Sequence, residues 1–257
     1  MMDFNEFVIP KISANFLYQE ALARYLFALK YLKKGQTVLD LGCGTGYGSA
    51  ILAQKGIVTG IDKNEEALSF AKKNFGQKVK FQLGEAEKLP FKDGFFDLVC
   101  CLEVIEHLQN PEKMIEQVKR VLKKQGRLII STPRRSILAS KNEVRSPYHI
   151  REYSLKDFEL LLRKFFNRIE LYGQSKTKKA KKAIDDFMSS QKVREKIINK
   201  DVLHLRKLFP KLFKERIWRR LGAIFGRASQ EYLKTADFPI NQQNVSESDY
   251  LIAVCYK

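Results

Sequence analysis

The stretch that decides the fold is residues 37–49, Thr37-Val-Leu-Asp-Leu-Gly-Cys-Gly-Thr-Gly-Tyr-Gly-Ser49. Thr37, Val38 and Leu39 lead into Asp40, after which Gly42, Gly44 and Gly46 alternate with Cys43 and Thr45. A β-branched and apolar run opening abruptly into glycine reads as a buried strand that ends in a tight loop. Ser49 opens an Ala-Ile-Leu-Ala segment of helical character, so the unit is strand, glycine loop, helix. Glycine lets the backbone turn sharply and lets a ligand approach without meeting a Cβ. The helix start adds unpaired N–H groups aimed at that ligand.

Working outward, the spacing is Asp-x-Gly-x-Gly-x-Gly, not the Gly-x-Gly-x-x-Gly of dinucleotide sites, and an acid stands at the strand end. Asp40 would repel a diphosphate but not a ligand carrying an ammonium or a sulfonium. The next strand, Gly56 to Ile61, ends in Asp62, whose carboxylate can accept both hydroxyls of a ribose. A ribose without a diphosphate, joined to a cationic amino-acid end, describes S-adenosylmethionine. These residues resemble the class I S-adenosylmethionine-dependent methyltransferases, over about residues 15–173 and the last strand. The resemblance implies a cofactor site built from Asp40, Gly42, Cys43, Gly44, Gly46, Asp62, Lys63, Glu85, Ala86 and Glu103. Glu85 would accept from the adenine amino group and the Ala86 N–H would donate to a ring nitrogen, although position 85 is commonly Asp in the family.

The remaining pattern is alternating strands and helices. Residues 15–31 carry Phe16, Leu17, Leu22, Tyr25, Leu26 and Leu29 at helical spacing; Arg24 on this helix could meet the cofactor's carboxylate but reads first as a surface arginine. Strands are expected at 78–83, 95–102, 127–132, 168–172 and 249–256. Pro111 starts one helix and Ser154 caps another. The expected fold is α/β, a Rossmann-like doubly wound sheet of seven strands with the last antiparallel. Its methyltransferase domain spans 1–173 plus 249–257, and a basic, mainly helical insertion, a substrate lid or a membrane-docking element, occupies 174–248 between strands six and seven.

Glu103-Val-Ile-Glu106-His107 follows the fourth strand, and His149 arrives in Tyr148-His-Ile-Arg-Glu152 after the fifth. Of three histidines in the chain, two fall here. Two carboxylates and two imidazoles can bind a divalent cation, Mg²⁺ or Mn²⁺, that lowers the pKa of a substrate hydroxyl. Without metal, His149 or His107 can serve as the general base, and in the plainest reading Glu106 and His107 only satisfy a helix start. The segment resembles the metal-dependent small-RNA 2′-O-methyltransferases and the quinone-ring O-methyltransferases, which carry Glu-x-x-Glu-His. Ser131-Thr-Pro-Arg134, Tyr148-His-x-Arg-Glu-Tyr153 and Leu171-Tyr-Gly-Gln174 resemble methyltransferases of bacterial surface-glycan pathways. No Asn/Asp-Pro-Pro-Tyr segment of amino-methylating relatives is present, so O-methylation is the expectation.

The formal charge is +18, and between Gln174 and Arg227 there are 17 Lys or Arg against 5 Asp or Glu. A patch of that kind favours an anionic partner. The stretch 211–227 reads as a basic amphipathic helix with Leu212, Phe213, Trp218, Leu221 and Phe225 on one side. We therefore expect a small-molecule, glycan or lipid-linked acceptor, met at an acidic membrane surface through 174–227. Nucleic acid is the alternative partner, with RNA 2′-O-methylation as its reaction, and a non-catalytic S-adenosylmethionine-binding module is a remote third. Cys43, Cys100, Cys101 and Cys255 show no Cys-x-x-Cys spacing and imply no disulfide. Residues 1–11 hold no basic stretch followed by an apolar one, so the expected location is cytoplasmic, peripheral on the inner membrane face.

Overall fold

The computed structural model describes residues 15–135, 148–199 and 233–257. The glycine loop sits where the sequence puts it, between β1 (Thr37–Leu41) and α2 (Tyr47–Leu52). β2 (Ile57–Asp62), α3 (Glu65–Phe75) and β3 (Lys80–Leu83) follow, then β4 (Phe96–Leu102), a 3₁₀ turn at Ile105–His107, α4 (Pro111–Val121) and β5 (Leu122–Pro133). α5 (Leu155–Arg163) leads to β6 (Arg168–Gln174), and β8 (Tyr250–Tyr256) closes the chain. Local chemistry sets several of these ends. Asn64 caps α3 by accepting from the Ala67 N–H, Ser154 caps α5 by accepting from the Asp157 N–H, and Pro111 opens α4.

All the described strands, with β7 at Ile240–Asn241, join one sheet in the order β3-β2-β1-β4-β5-β8-β6-β7. β1 to β5 pair in parallel, while β8 lies between β5 and β6 and is antiparallel to both. The sheet has eight strands where seven were expected. β7 (Ile240–Asn241) is a two-residue strand of the returning insertion, laid antiparallel on the end of β6. Two residues are too few to leave a period in the sequence.

The strands alternate faces, and each face has its own core. Leu39, Leu41, Val99, Cys101 and Ile130 pack with Met114, Ile115 and Val118 of α4 and Phe158 of α5. Val38, Leu98, Cys100 and Ile129 pack on the other side with Tyr25 and Phe27 of α1 (Asn15–Leu29), Leu52 of α2 and Leu68 of α3. A third, smaller cluster joins Ala23 of α1 to Ala180 of α6 (Lys178–Asn199) and to Leu233 and Phe238. Both ends of the insertion thus pack against α1.

The order of the sheet reverses between β1 and β4, and open α/β sheets bind ligands outside the carboxyl ends at such a point. Among the described residues no helix is long and apolar enough to cross a membrane. The four cysteines are buried and unpaired.

Candidate active site

A cleft of about 840 Å³ opens at that switch point. Its wall includes Gly42, Cys43 and Gly44 of the loop after β1, Asp62 and Lys63 after β2, Glu85 and Ala86 after β3, and Glu103 and His107 after β4. Ala21, Arg24 and Tyr25 of α1 cover it. The Asp62 carboxylate accepts from the Gly44 N–H at 2.8 Å and from the Asn64 N–H at 2.9 Å. Each oxygen keeps a second lone pair, so the group is fixed by the backbone and still able to accept hydroxyls. Gly42 and Gly44 adopt positive φ, and a Cβ on Gly42 would stand 2.3 Å from the Val104 side chain.

Two expected cofactor residues are placed elsewhere. Asp40 is fully buried and does not line the cleft. Side chains alternate along a strand, so Asp40 points the same way as Val38, beneath α1 and α2. There it accepts from Ser49 Oγ at 2.5 Å and from the Tyr25 hydroxyl at 3.4 Å. Burial pushes its pKa up to about 7. Gly46, at the start of α2, serves packing, since a Cβ there would lie 2.7 Å from Ala71 and Phe81.

Arg24 reverses the sequence expectation of a surface arginine, being only 6% exposed. Its Nε lies 4.0 Å from Glu103 Oε1. Opposite charges side by side on one wall match the carboxylate and ammonium of an amino-acid end. Tyr250 accompanies them, its ring centroid 4.4 Å from the guanidinium carbon.

β5 divides the acids between the two faces. Ser131 Oγ donates to Glu103 Oε1 at 2.6 Å, and Thr132 Oγ1 donates to Glu106 Oε2 at 3.1 Å. Adjacent strand residues face opposite ways, so Glu103 is held on the α1 side and Glu106 on the α4 side. Glu103 itself adopts a φ of 56°, left-handed backbone that a non-glycine residue takes only where its surroundings hold it. Glu106 is fully buried, its Oε1 has no hydrogen-bond partner, and burial raises its pKa well above the carboxylate range, with Glu103 adding to the rise.

Glu106, His107 and His149 offer ligand atoms all within 4.8 Å of one another. The fourth expected ligand, Glu103, stands outside this group. The backbone N–H groups of Ile150 and Arg151 bond the Glu106 carbonyl, which brings the second histidine in. His107 Nδ1 meets the Tyr148 carbonyl at 2.9 Å, and His149 Nδ1 meets Glu152 Oε1 at 3.1 Å. A carbonyl only accepts, so Nδ1 of His107 carries the proton and in its neutral ring Nε2 keeps a lone pair, while His149 Nδ1 faces a carboxylate oxygen. Burial lowers the His107 pKa, opposed by the Tyr148 carbonyl and helped by His149, which favours the neutral ring. His107 lines the cleft, whereas His149 stands behind it at 5.1 Å between ring centroids.

The glycine loop, the backbone-held carboxylate of Asp62 and the paired charges line one cleft at the carboxyl edge of the sheet. A family model described as a methyltransferase domain matches residues 32–182, and the chain belongs to that family. It is 37% identical over 120 residues to the ubiquinone biosynthesis O-methyltransferase of Coxiella burnetii, covering 43% of this chain and 51% of that protein. It is 34% identical over 138 residues to the uncharacterized methyltransferase YcgJ of Bacillus subtilis, covering 48% and 54%. The matches thus span about half the length of these relatives. The crystal structure of B. subtilis YcgJ superposes with a TM-score of 0.58 at 19% identity, over 91% of this chain and 97% of that one.

Proposed function

We propose that this chain transfers a methyl group from S-adenosylmethionine to a hydroxyl of a small-molecule, glycan or lipid-linked acceptor met at an acidic membrane face. The observation that carries the reading is His107, a neutral imidazole with an available Nε2 on the wall of the cleft that Asp62, Arg24 and Glu103 also line. In the reaction the acceptor oxygen attacks the sulfonium methyl in line, the new C–O bond forms as the C–S bond breaks, and the hydroxyl proton leaves to a base. Most of the acceleration then comes from holding the two reactants in attack geometry. O-methylation is supported by this base and by the O-methyltransferase identity of the Coxiella relative.

The donor set also fits a divalent cation. Glu106 Oε1 is buried without a partner, and each histidine turns its Nδ1 to an oxygen, the usual support of a metal-bound imidazole. Two imidazoles with one carboxylate suit Mn²⁺ better than Mg²⁺. Glu106, His107 and His149 would hold the ion, which when bound supplies Lewis-acid activation of the acceptor hydroxyl. On the membrane side, Lys178, Lys179, Lys181 and Lys182 stand exposed on the first turns of α6. The expected helix at 211–227 lies outside the described residues.

The test uses methyl-labelled S-adenosylmethionine with a bacterial polar-lipid extract and, separately, total RNA. Label recovered in lipid as an alkali-stable ether, lost with chelator and restored by Mn²⁺, is the expected result. Full activity in chelator removes the metal and leaves His107 as the base, in which case His107→Ala abolishes transfer. Label in RNA alone overturns the lipid-linked acceptor.

A further inference from the structure

The contacts of Arg24 continue into the root of the insertion. Its Nη1 donates to Oε1 of Gln174 at 2.7 Å, and Gln174 Nε2 donates to the Glu20 carbonyl at 2.9 Å, one helical turn before Arg24 on α1. Gln174 is fully buried at the end of β6, the last residue of that strand. Two residues on, Lys176 pairs with Glu20 Oε1 at 2.7 Å and with Asp249 at 3.4 Å. Tyr250 donates to Glu20 Oε2 at 3.1 Å and lays its ring against both cations. Every one of these groups lies on α1, on β8 or its first flanking residue, or on the first residues of the insertion, and of the set Arg24 alone reaches the cleft wall.

From this geometry we propose that Gln174 is a positioning residue for cofactor binding: it and the Glu20–Lys176 pair hold the Arg24 guanidinium against the carboxylate of the cofactor's amino-acid end. The inference rests on the S-adenosylmethionine reading above. The chemistry of Gln174 suits the task. A buried guanidinium needs its N–H groups satisfied, and a carboxylate would satisfy them while cancelling the charge. A carboxamide satisfies one N–H and adds no negative charge to that of Glu103 at 4.0 Å. Its second end grips the α1 backbone, so the side chain fixes both the helix and the arginine it carries. The cost of a misplaced guanidinium falls on the ligand's carboxylate and spares the adenosine end, which Asp62, Glu85 and Ala86 face across the cleft.

Two ligands separate these ends. S-adenosylhomocysteine has the amino-acid end, while 5′-methylthioadenosine keeps adenine, ribose and sulfur but has neither carboxylate nor ammonium. By calorimetry on the full chain, Gln174→Leu should bind S-adenosylhomocysteine at least tenfold more weakly and 5′-methylthioadenosine within about twofold of the parent, the second result also reporting that the cleft is folded. In an Arg24→Ala background, Gln174→Leu should add no further loss, because groups acting through one another are not additive. Lys176→Ala, a substitution outside the sheet core, should give a weaker loss with the same ligand selectivity, and it carries the test if Gln174→Leu fails to fold. Equal losses for both ligands, no loss, or additive losses with Arg24→Ala overturn the proposal. Failure of the parent protein to bind either ligand overturns the cofactor reading instead.

Discussion

Asp40 shows how a single residue can belong to a motif and serve it indirectly. Its carboxyl sits under the glycine loop, braced by Ser49 and Tyr25, and its pKa is pushed up by burial to about 7 from its ordinary 3.8. The folded chain therefore holds this proton more tightly than the unfolded chain does. Between about pH 4 and pH 7 the unfolded state releases it first, so this group's contribution to stability falls as pH rises through that window and levels off above it. Asparagine cannot titrate, so the melting temperature of the parent relative to Asp40→Asn should decline from pH 5 to pH 8. A difference that stays flat across a buffered thermal-melt series would falsify the assignment of a titrating Asp40.

At the scale of elements, the placement of α1 decides whether the cleft has a cover. Gly48 on α2 admits the Tyr25 ring, since a Cβ there would stand 1.9 Å from Tyr25 Cζ. Gly48→Ala should push α1 outward, costing about 1–3 kcal/mol of stability as overpacking usually does. S-adenosylhomocysteine affinity should drop about tenfold, because Arg24 and Ala21 travel with Tyr25. Denaturant titration and calorimetry read the two effects, and parent-like values in both would sink this account of the docking. The elements themselves were largely legible beforehand, because Asp40-x-Gly-x-Gly, Pro111, Ser154 and the β-branched runs act locally. What the sequence hid was direction and long-range pairing. Period-two alternation was available to turn Asp40 inward, but a motif reading overrode it. Arg24 looked like surface because its partners are distant: Gln174 is 150 positions away. Ser131 and Thr132 stood in plain view as strand-end hydroxyls, yet nothing local assigns each one its glutamate.

The whole molecule carries +18, with the basic stretch rooted at α6, which packs on α1. Near an anionic surface each Lys or Arg is worth about 1 kcal/mol, so a few suffice for binding that salt reverses. The protein should co-sediment with vesicles containing acidic phospholipid at low ionic strength and release in several hundred millimolar salt, roughly as screening requires. Trp218, which lies outside the described residues, is the single tryptophan, so its emission reports one position. A blue shift and protection from an aqueous quencher on vesicle addition are expected, and an emission that ignores lipid removes the membrane face from the proposal. The split hydroxyls at the end of β5 have a consequence on this scale too. Ser131 supports the acid on the α1 side, and Thr132 supports the one on the α4 side. One strand end therefore fixes two acids separately: a change at Thr132 should loosen Glu106 and leave Glu103 where Ser131 holds it.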